Sequence, residues 1–169
     1  KTDVAIYRPS NGDWWSISSV TGQQINGSFG LLGNIPLPQD VTGDGRADYV
    51  TYNTSSRRFN RISSANGSGS EVAFGLAGDK PVIGDFNGDG ISDPAIYRPS
   101  DGNWWWKSSG DGIDRATKWG LADDKCVPAD YTGDGRADFG IYRPSTGVWY
   151  IYDMANNASI IYPFGTNGD

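Results

Sequence analysis

Nine aspartates fall in three segments of one pattern, and they are the residues here whose types and spacing promise chemistry. Asp40-Val-Thr-Gly-Asp-Gly-Arg-Ala-Asp48, Asp85-Phe-Asn-Gly-Asp-Gly-Ile-Ser-Asp93 and Asp130-Tyr-Thr-Gly-Asp-Gly-Arg-Ala-Asp138 begin 45 residues apart. In a tight loop the side chains at positions 1, 3 and 5 converge on one point, the position-7 carbonyl adds an oxygen, and Gly at position 6 permits the bend. Position 9 here supplies another carboxylate. The pattern predicts as ligands Asp40, Thr42, Asp44, the Arg46 carbonyl and Asp48; Asp85, Asn87, Asp89, the Ile91 carbonyl and Asp93; and Asp130, Thr132, Asp134, the Arg136 carbonyl and Asp138. All are hard oxygen donors, which favours Ca²⁺ over zinc or copper. Thr at position 3 in two loops predicts a weaker or water-mediated contact there. The alternative is an Asx-type hairpin that needs no ion, but carboxylates crowded at one turn then repel without compensation. Three Ca²⁺ would supply six positive charges against a formal net charge of −6. About three ions are expected, with a structural role: each pins a hairpin.

Other chemistries are poorly supplied. The chain has no His, which removes Ser-His-Asp and Cys-His nucleophiles and every His-ligated metal site. Of its acidic residues only Glu71 is not Asp. Paired carboxylates serve glycoside hydrolysis, yet every repeated Asp belongs to a loop and the others fall in turns, so a non-catalytic protein is expected. Trp14-Trp15, Trp104-Trp105-Trp106 and Trp149-Tyr150 invite sugar stacking. The position shared by Trp14, Phe59, Trp104 and Trp149 is aromatic throughout, which suits packing between units. Trp15 and Trp105 stand at a more variable position and remain candidates for either packing or a ligand platform. Arg8, Arg98 and Arg143 recur beside Tyr and are expected to stack or pair with acids rather than bind ligand.

The elements that hold these residues follow the same period. Tyr-Arg-Pro-Ser begins at Tyr7, Tyr97 and Tyr142, with a degenerate Tyr52-Asn-Thr-Ser, and an aromatic-Gly pair falls at Phe29, Phe74, Trp119 and Phe164. One unit reads as four short strands: 80–84, then the Asp loop, 93–98, a Pro99-Ser-Asp-Gly102 turn, 103–108, a second turn, and 114–119. No segment keeps a 3.6-residue apolar period with caps, so no helix is expected. The reading is all-β, with propeller-type repeats of 45 residues forming four-stranded antiparallel blades. About 3.75 repeats are present as one region: a partial unit 1–39, then 40–84, 85–129 and a partial 130–169. Lys1 aligns with Arg46, so a fourth loop is represented by its last ligand, Asp3.

The pattern Asp-x-[Thr/Asn]-Gly-Asp-Gly-x-x-Asp, followed by a Tyr-Arg-Pro-Ser strand and later Phe-Gly-Leu, resembles the FG-GAP repeats of integrin α-subunit propellers and, more closely, bacterial FG-GAP-like (VCBS-type) repeats. The resemblance covers the whole chain and implies an extracellular β-propeller carrying calcium in the loop between the first two strands of each blade. Gly-Ala-Pro does not follow Phe-Gly: Phe74-Gly-Leu-Ala-Gly-Asp-Lys-Pro81 keeps only scattered elements, which sets the integrin-specific functions apart from this chain.

Composition bounds the partners. With pI near 4.5, nucleic acid and anionic membrane are disfavoured, and no apolar run approaches a bilayer span. Lone Cys126 cannot form an internal disulfide. The expected function is a calcium-stabilised, secreted or cell-surface module for adhesion or for binding a glycan or protein ligand. The alternative is a structural segment of an extracellular filament of stacked repeats, with self-association or further repeats of the same array as partners.

Overall fold

The computed structural model describes residues 3–167. It contains fifteen strands in four antiparallel sheets and, among the described residues, no helix. Sheet 1 is β1 (Val4–Arg8), β2 (Asp13–Ile17) and β3 (Gln24–Ser28). Sheet 2 is β4 (Ile35–Pro36), β5 (Tyr49–Asn53), β6 (Arg58–Ile62) and β7 (Gly69–Ala73). Sheet 3 is β8 (Lys80–Gly84), β9 (Asp93–Arg98), β10 (Asn103–Lys107) and β11 (Asp114–Lys118). Sheet 4 is β12 (Lys125–Cys126), β13 (Phe139–Arg143), β14 (Val148–Asp153) and β15 (Ala158–Pro163). Strands adjacent in sequence are adjacent in each sheet, so short Gly-containing turns suffice as connections.

Two of the strands expected from the third unit, 80–84 and 93–98, are β8 and β9 as read; the other two end one residue early. The first strand shrinks to two residues in sheets 2 and 4. Ile83 of β8 pairs with Pro94, whereas its place is taken by Pro38 in sheet 2 and Pro128 in sheet 4, where no N–H is available for the ladder. Pairing resumes one residue later as the isolated bridges Gln39↔Asp48 and Ala129↔Asp138.

The sheets stack face to face in chain order, sheets 2 and 3 each presenting one face to the sheet before it and the other to the sheet after it. Sheet 3 offers Tyr97, Trp104 and Trp106, with Phe86 of the adjoining loop, to Phe139 and Ile141 of sheet 4. The Phe139 ring sits 4.8 Å from Trp104 and 5.0 Å from Phe86. Sheet 2 offers Val50, Tyr52 and Phe59 to Ile83 and Ile96 of sheet 3, and Trp14 of sheet 1 meets Tyr49 of sheet 2 at 5.6 Å. Of the four aromatics expected to pack between units, Trp14, Phe59 and Trp104 are buried, whereas Trp149 is half-buried and lines a hollow on the outer side of sheet 4. Hydrogen bonds anchor the same aromatics. Trp14 Nε1 donates to the Phe29 carbonyl, Trp104 Nε1 to that of Trp119 and Trp149 Nε1 to that of Phe164. The Tyr97 hydroxyl closes on Gly120, which has φ +116° and where a Cβ would lie 2.9 Å from that oxygen, so the aromatic-Gly pair needs its glycine.

Cys126 packs against the core between sheets 3 and 4, and burial pushes its thiol up to about 12. At pH 8 the thiolate fraction is then roughly a thousandfold below that of a free cysteine. Native protein should react with a thiol reagent slower by about that factor, and urea should restore the normal rate; fast labelling of native protein would refute the packing of this thiol.

Candidate functional site

The three Asp loops lie side by side. The Ser92 N–H donates to the Asp40 carbonyl at 2.8 Å, and the Ala137 N–H donates to the Asp85 carbonyl at 2.7 Å, so each loop is tied to the next. A Cβ on Gly43 would lie 3.0 Å from Ile91, and one on Gly88 would lie 2.9 Å from Arg136. Glycine at position 4 therefore allows neighbouring loops to approach as well as turning its own.

Within each loop the first carboxylate folds over the backbone. Asp40 accepts from the N–H groups of Thr42, Gly43 and Gly45. Asp85 accepts from Gly88, Asp89 and Gly90, and Asp130 from Gly133, Asp134 and Gly135. The fifth-position carboxylates each accept the N–H two residues on. Burial pushes Asp89 up, but the Ile91 N–H, Asn87 and Ser109 outweigh it and hold its carboxyl below the ordinary value.

The ninth-position Asp closes the loop and reaches outward. Asp48 accepts from the Val41 N–H and Thr42 hydroxyl with one oxygen and from the Ser64 N–H with the other. Asp93 does the same with Phe86 and Ser109, and Asp3 accepts from Ser19 at 2.7 Å. Asp3 thus stands where the register puts it. In the fourth unit Met154 replaces this serine, and both the second oxygen of Asp138 and the Thr132 hydroxyl are buried without a hydrogen-bond partner. Burial raises both Asp93 and Asp138 despite their hydrogen bonds.

Ser19, Ser64 and Ser109 are site residues that the loop pattern alone does not reveal. The Ser109 hydroxyl lies 2.9 Å and 3.2 Å from the two Asp89 oxygens and 3.3 Å from the Ile91 carbonyl. Three of the five donors predicted for that loop, Asp89, the Ile91 carbonyl and Asn87, therefore meet around one small group, Asn87 through its amide nitrogen, which donates to Asp89 at 2.8 Å. Asp85 and Asp93 join the cluster through its backbone, Asp85 accepting from the Asp89 N–H at 3.2 Å and Asp93 from the Ser109 N–H at 2.6 Å. Among the described residues no group of three or more Asp, Glu, His or Cys side chains is gathered as a metal cage. The predicted donors nonetheless suit a hard cation: they are all oxygens, an ionised carboxylate has about four acceptor positions, of which Asp89 uses four and the other loop aspartates one to three, and the unpartnered Asp138 and Thr132 oxygens lie in the loop itself.

The arginines behave as expected. Arg98 makes a two-pronged pair with Asp79, both contacts 2.9 Å, and Arg143 an identical pair with Asp124. The two carboxylates are buried and lift their arginines above the ordinary value. Arg8, Arg98 and Arg143 also stack on Trp15, Trp105 and Tyr150. Trp105 is half-buried against the core between sheets 2 and 3, which commits one of the two candidate platforms to packing. Trp15 instead borders a shallow hollow with Asp13, Asn26 and Ser28.

No protein-family model and no curated protein matches the chain. A solved structure does: a catalytically inactive form of virginiamycin B lyase from Staphylococcus aureus with quinupristin, at TM-score 0.63 and 11% identity, covering 97% of this chain and 53% of that one. The fold is β-propeller-like. The chain spans about half the length of the structure it matches, and at this identity the likeness shows the fold alone.

Proposed function

We propose that the chain is a calcium-stabilised, non-catalytic module of FG-GAP/VCBS-type repeats, built as four-stranded propeller blades of 45 residues, that works outside the cell in adhesion or in binding a glycan or protein ligand. The observation that carries the reading is the set of three acidic loops tied side by side by backbone hydrogen bonds, each rich in oxygen donors and one with buried oxygens left unpartnered. The ligand sets are those predicted: positions 1, 3, 5 and 9 with the position-7 carbonyl. Thr in place of a stronger donor at position 3 suits weak sites, which fill where calcium is near millimolar, as it is for extracellular modules. Non-catalytic function rests on the commitment of every repeated Asp to loop or turn hydrogen bonds. Trp15, with its polar neighbours, is the proposed glycan contact.

Calcium stoichiometry tests the reading. Asp44→Ala, Asp89→Ala and Asp134→Ala should each remove about one bound ion by titration calorimetry, leaving the other loops filled. Wild-type protein that takes up no calcium at millimolar concentration would refute the metal assignment.

A further inference from the structure

The three Asp loops share one pattern, but the turns that face them differ. The turn joining the last two strands of a unit begins with Ser63-Ser64 in sheet 2, with Ser108-Ser109 in sheet 3 and, in the same register, with Asp153-Met154 in sheet 4. In sheet 3 this turn completes the hydrogen bonds of its loop. The Asn87 amide nitrogen donates to the Ser108 hydroxyl at 3.1 Å and to Asp89 at 2.8 Å, and the Ser109 N–H donates to the second oxygen of Asp93. In sheet 2 the Thr42 hydroxyl donates to one oxygen of Asp48 and the Ser64 N–H to the other. Sheet 4 lacks these contacts. Asp138 is 0% exposed, and one of its oxygens accepts the Tyr131 and Thr132 N–H groups. Its other oxygen and the Thr132 hydroxyl are buried with no partner. A buried charged acceptor left unsatisfied is costly, and the same position of the pattern avoids that cost in the two preceding loops.

We propose that the loop 130–138 is the first and tightest of the calcium sites and that Asp153, outside the nine-residue pattern, is one of its ligands. Ser108 lies within hydrogen-bond reach of position 3 of its own loop, so the register puts the Asp153 carboxylate beside position 3 of the loop 130–138. Asp153 is buried, and no Lys or Arg pairs with it among the described residues. Its oxygens accept from the Ala155 and Asn156 N–H groups and the Asn156 amide, which leaves one of about four acceptor positions open. Calcium affinity follows the number of charged ligands. The loop 130–138 then has four carboxylates, Asp130, Asp134, Asp138 and Asp153, where the other two loops have three each. The fourth offsets the weak donor Thr132. An ion entering the loop 85–93 must displace the Asn87 amide and the Ser109 hydroxyl from Asp89, and one entering the loop 40–48 must displace the Thr42 hydroxyl from Asp48. In the loop 130–138 it meets two buried oxygens with no hydrogen bond to give up. The proposal rests on the calcium reading above and adds to it the order of filling and a further ligand.

Calcium titration in competition with a chromogenic chelator resolves the successive binding steps. Asp134→Ala should abolish the tightest step, whereas Asp44→Ala and Asp89→Ala should leave it in place. Asp153→Asn keeps an acceptor oxygen for the turn N–H groups and removes the charge; it should weaken the tightest step about tenfold or more without changing the other steps or the number of ions bound. Asp153→Ser places there the residue that the other turns already carry, and should have the same effect in a turn known to accept it. Hydrogen exchange at one equivalent of calcium gives a second readout: amides of 130–138 and of the 153–158 turn should gain protection before those of 40–48 and 85–93. A tightest step that survives Asp134→Ala, Asp153 variants that bind as the wild type does, or protection that begins at another loop would overturn the proposal while leaving calcium binding in place. Wild-type protein that binds no calcium would instead overturn the metal reading on which it rests.

Discussion

In EGTA the protein should melt at least 15 °C below its melting temperature in excess calcium. A site held at about a hundred times its dissociation constant stabilises the folded chain by about 2.7 kcal/mol. Three independent loops then add about 8 kcal/mol, comparable to the whole stability of an ordinary domain. For a chain of this size each kcal/mol moves the midpoint by about 2–4 °C. The loop carboxylates add a pH signature. Asp93 and Asp138 are raised above their ordinary 3.8 by burial, so without an ion their contribution is full below that value and is lost as pH rises through the raised folded value. A cation beside them reverses the sign, since it favours the ionised form. In EGTA, acidification from neutrality should therefore restore the contribution of Asp93 and Asp138 while removing that of Asp89, which its hydrogen bonds hold below the ordinary value, whereas in calcium it should release the ion and lower the melting temperature. A midpoint indifferent to EGTA at pH 7 would sink structural calcium.

Much of this architecture is legible in the chain because one period governs it. The 45-residue spacing places the loops, the Tyr-Arg-Pro-Ser strands and the aromatic-Gly turns, and β8 and β9 fall on the expected residues. Three features were not legible, each for a physical reason. The short first strands of sheets 2 and 4 depend on proline at the place of Ile83, a single-residue difference that a repeat consensus averages away. The role of Ser19, Ser64 and Ser109 runs through the backbone N–H, which any residue but proline carries, so side-chain type gives no signal. Their hydroxyl adds to this in the Asp89 cluster and beside Asp3. Trp105 was ambiguous because strands stacked between two sheets are covered on both faces. The polar and apolar alternation that marks a solvent-facing side is then missing, and an aromatic triplet such as Trp104-Trp105-Trp106 packs in both directions.

Trp104→Ala should be the most damaging single substitution, costing about 4 kcal/mol in urea melts, within the range for deleting a buried Trp. The indole is fully buried, packs against Tyr97 and Phe139, and gives its N–H to the Trp119 carbonyl at 2.7 Å. Its removal opens a cavity between sheets 3 and 4 and strands that carbonyl at the aromatic-Gly turn. The repeat supplies internal controls. Trp14 holds the same position in sheet 1 and is buried against Tyr49, so Trp14→Ala should cost nearly as much, about 3 kcal/mol. Trp149 makes the same kind of hydrogen bond, to the Phe164 carbonyl, and stacks on Tyr142, but its outward side opens on the uncovered hollow of sheet 4. Trp149→Ala should therefore cost only about 1–2 kcal/mol, in proportion to the smaller apolar area that it removes from contact. Equal losses at all three positions would show that the inward contacts alone set the energy and that the next sheet contributes nothing.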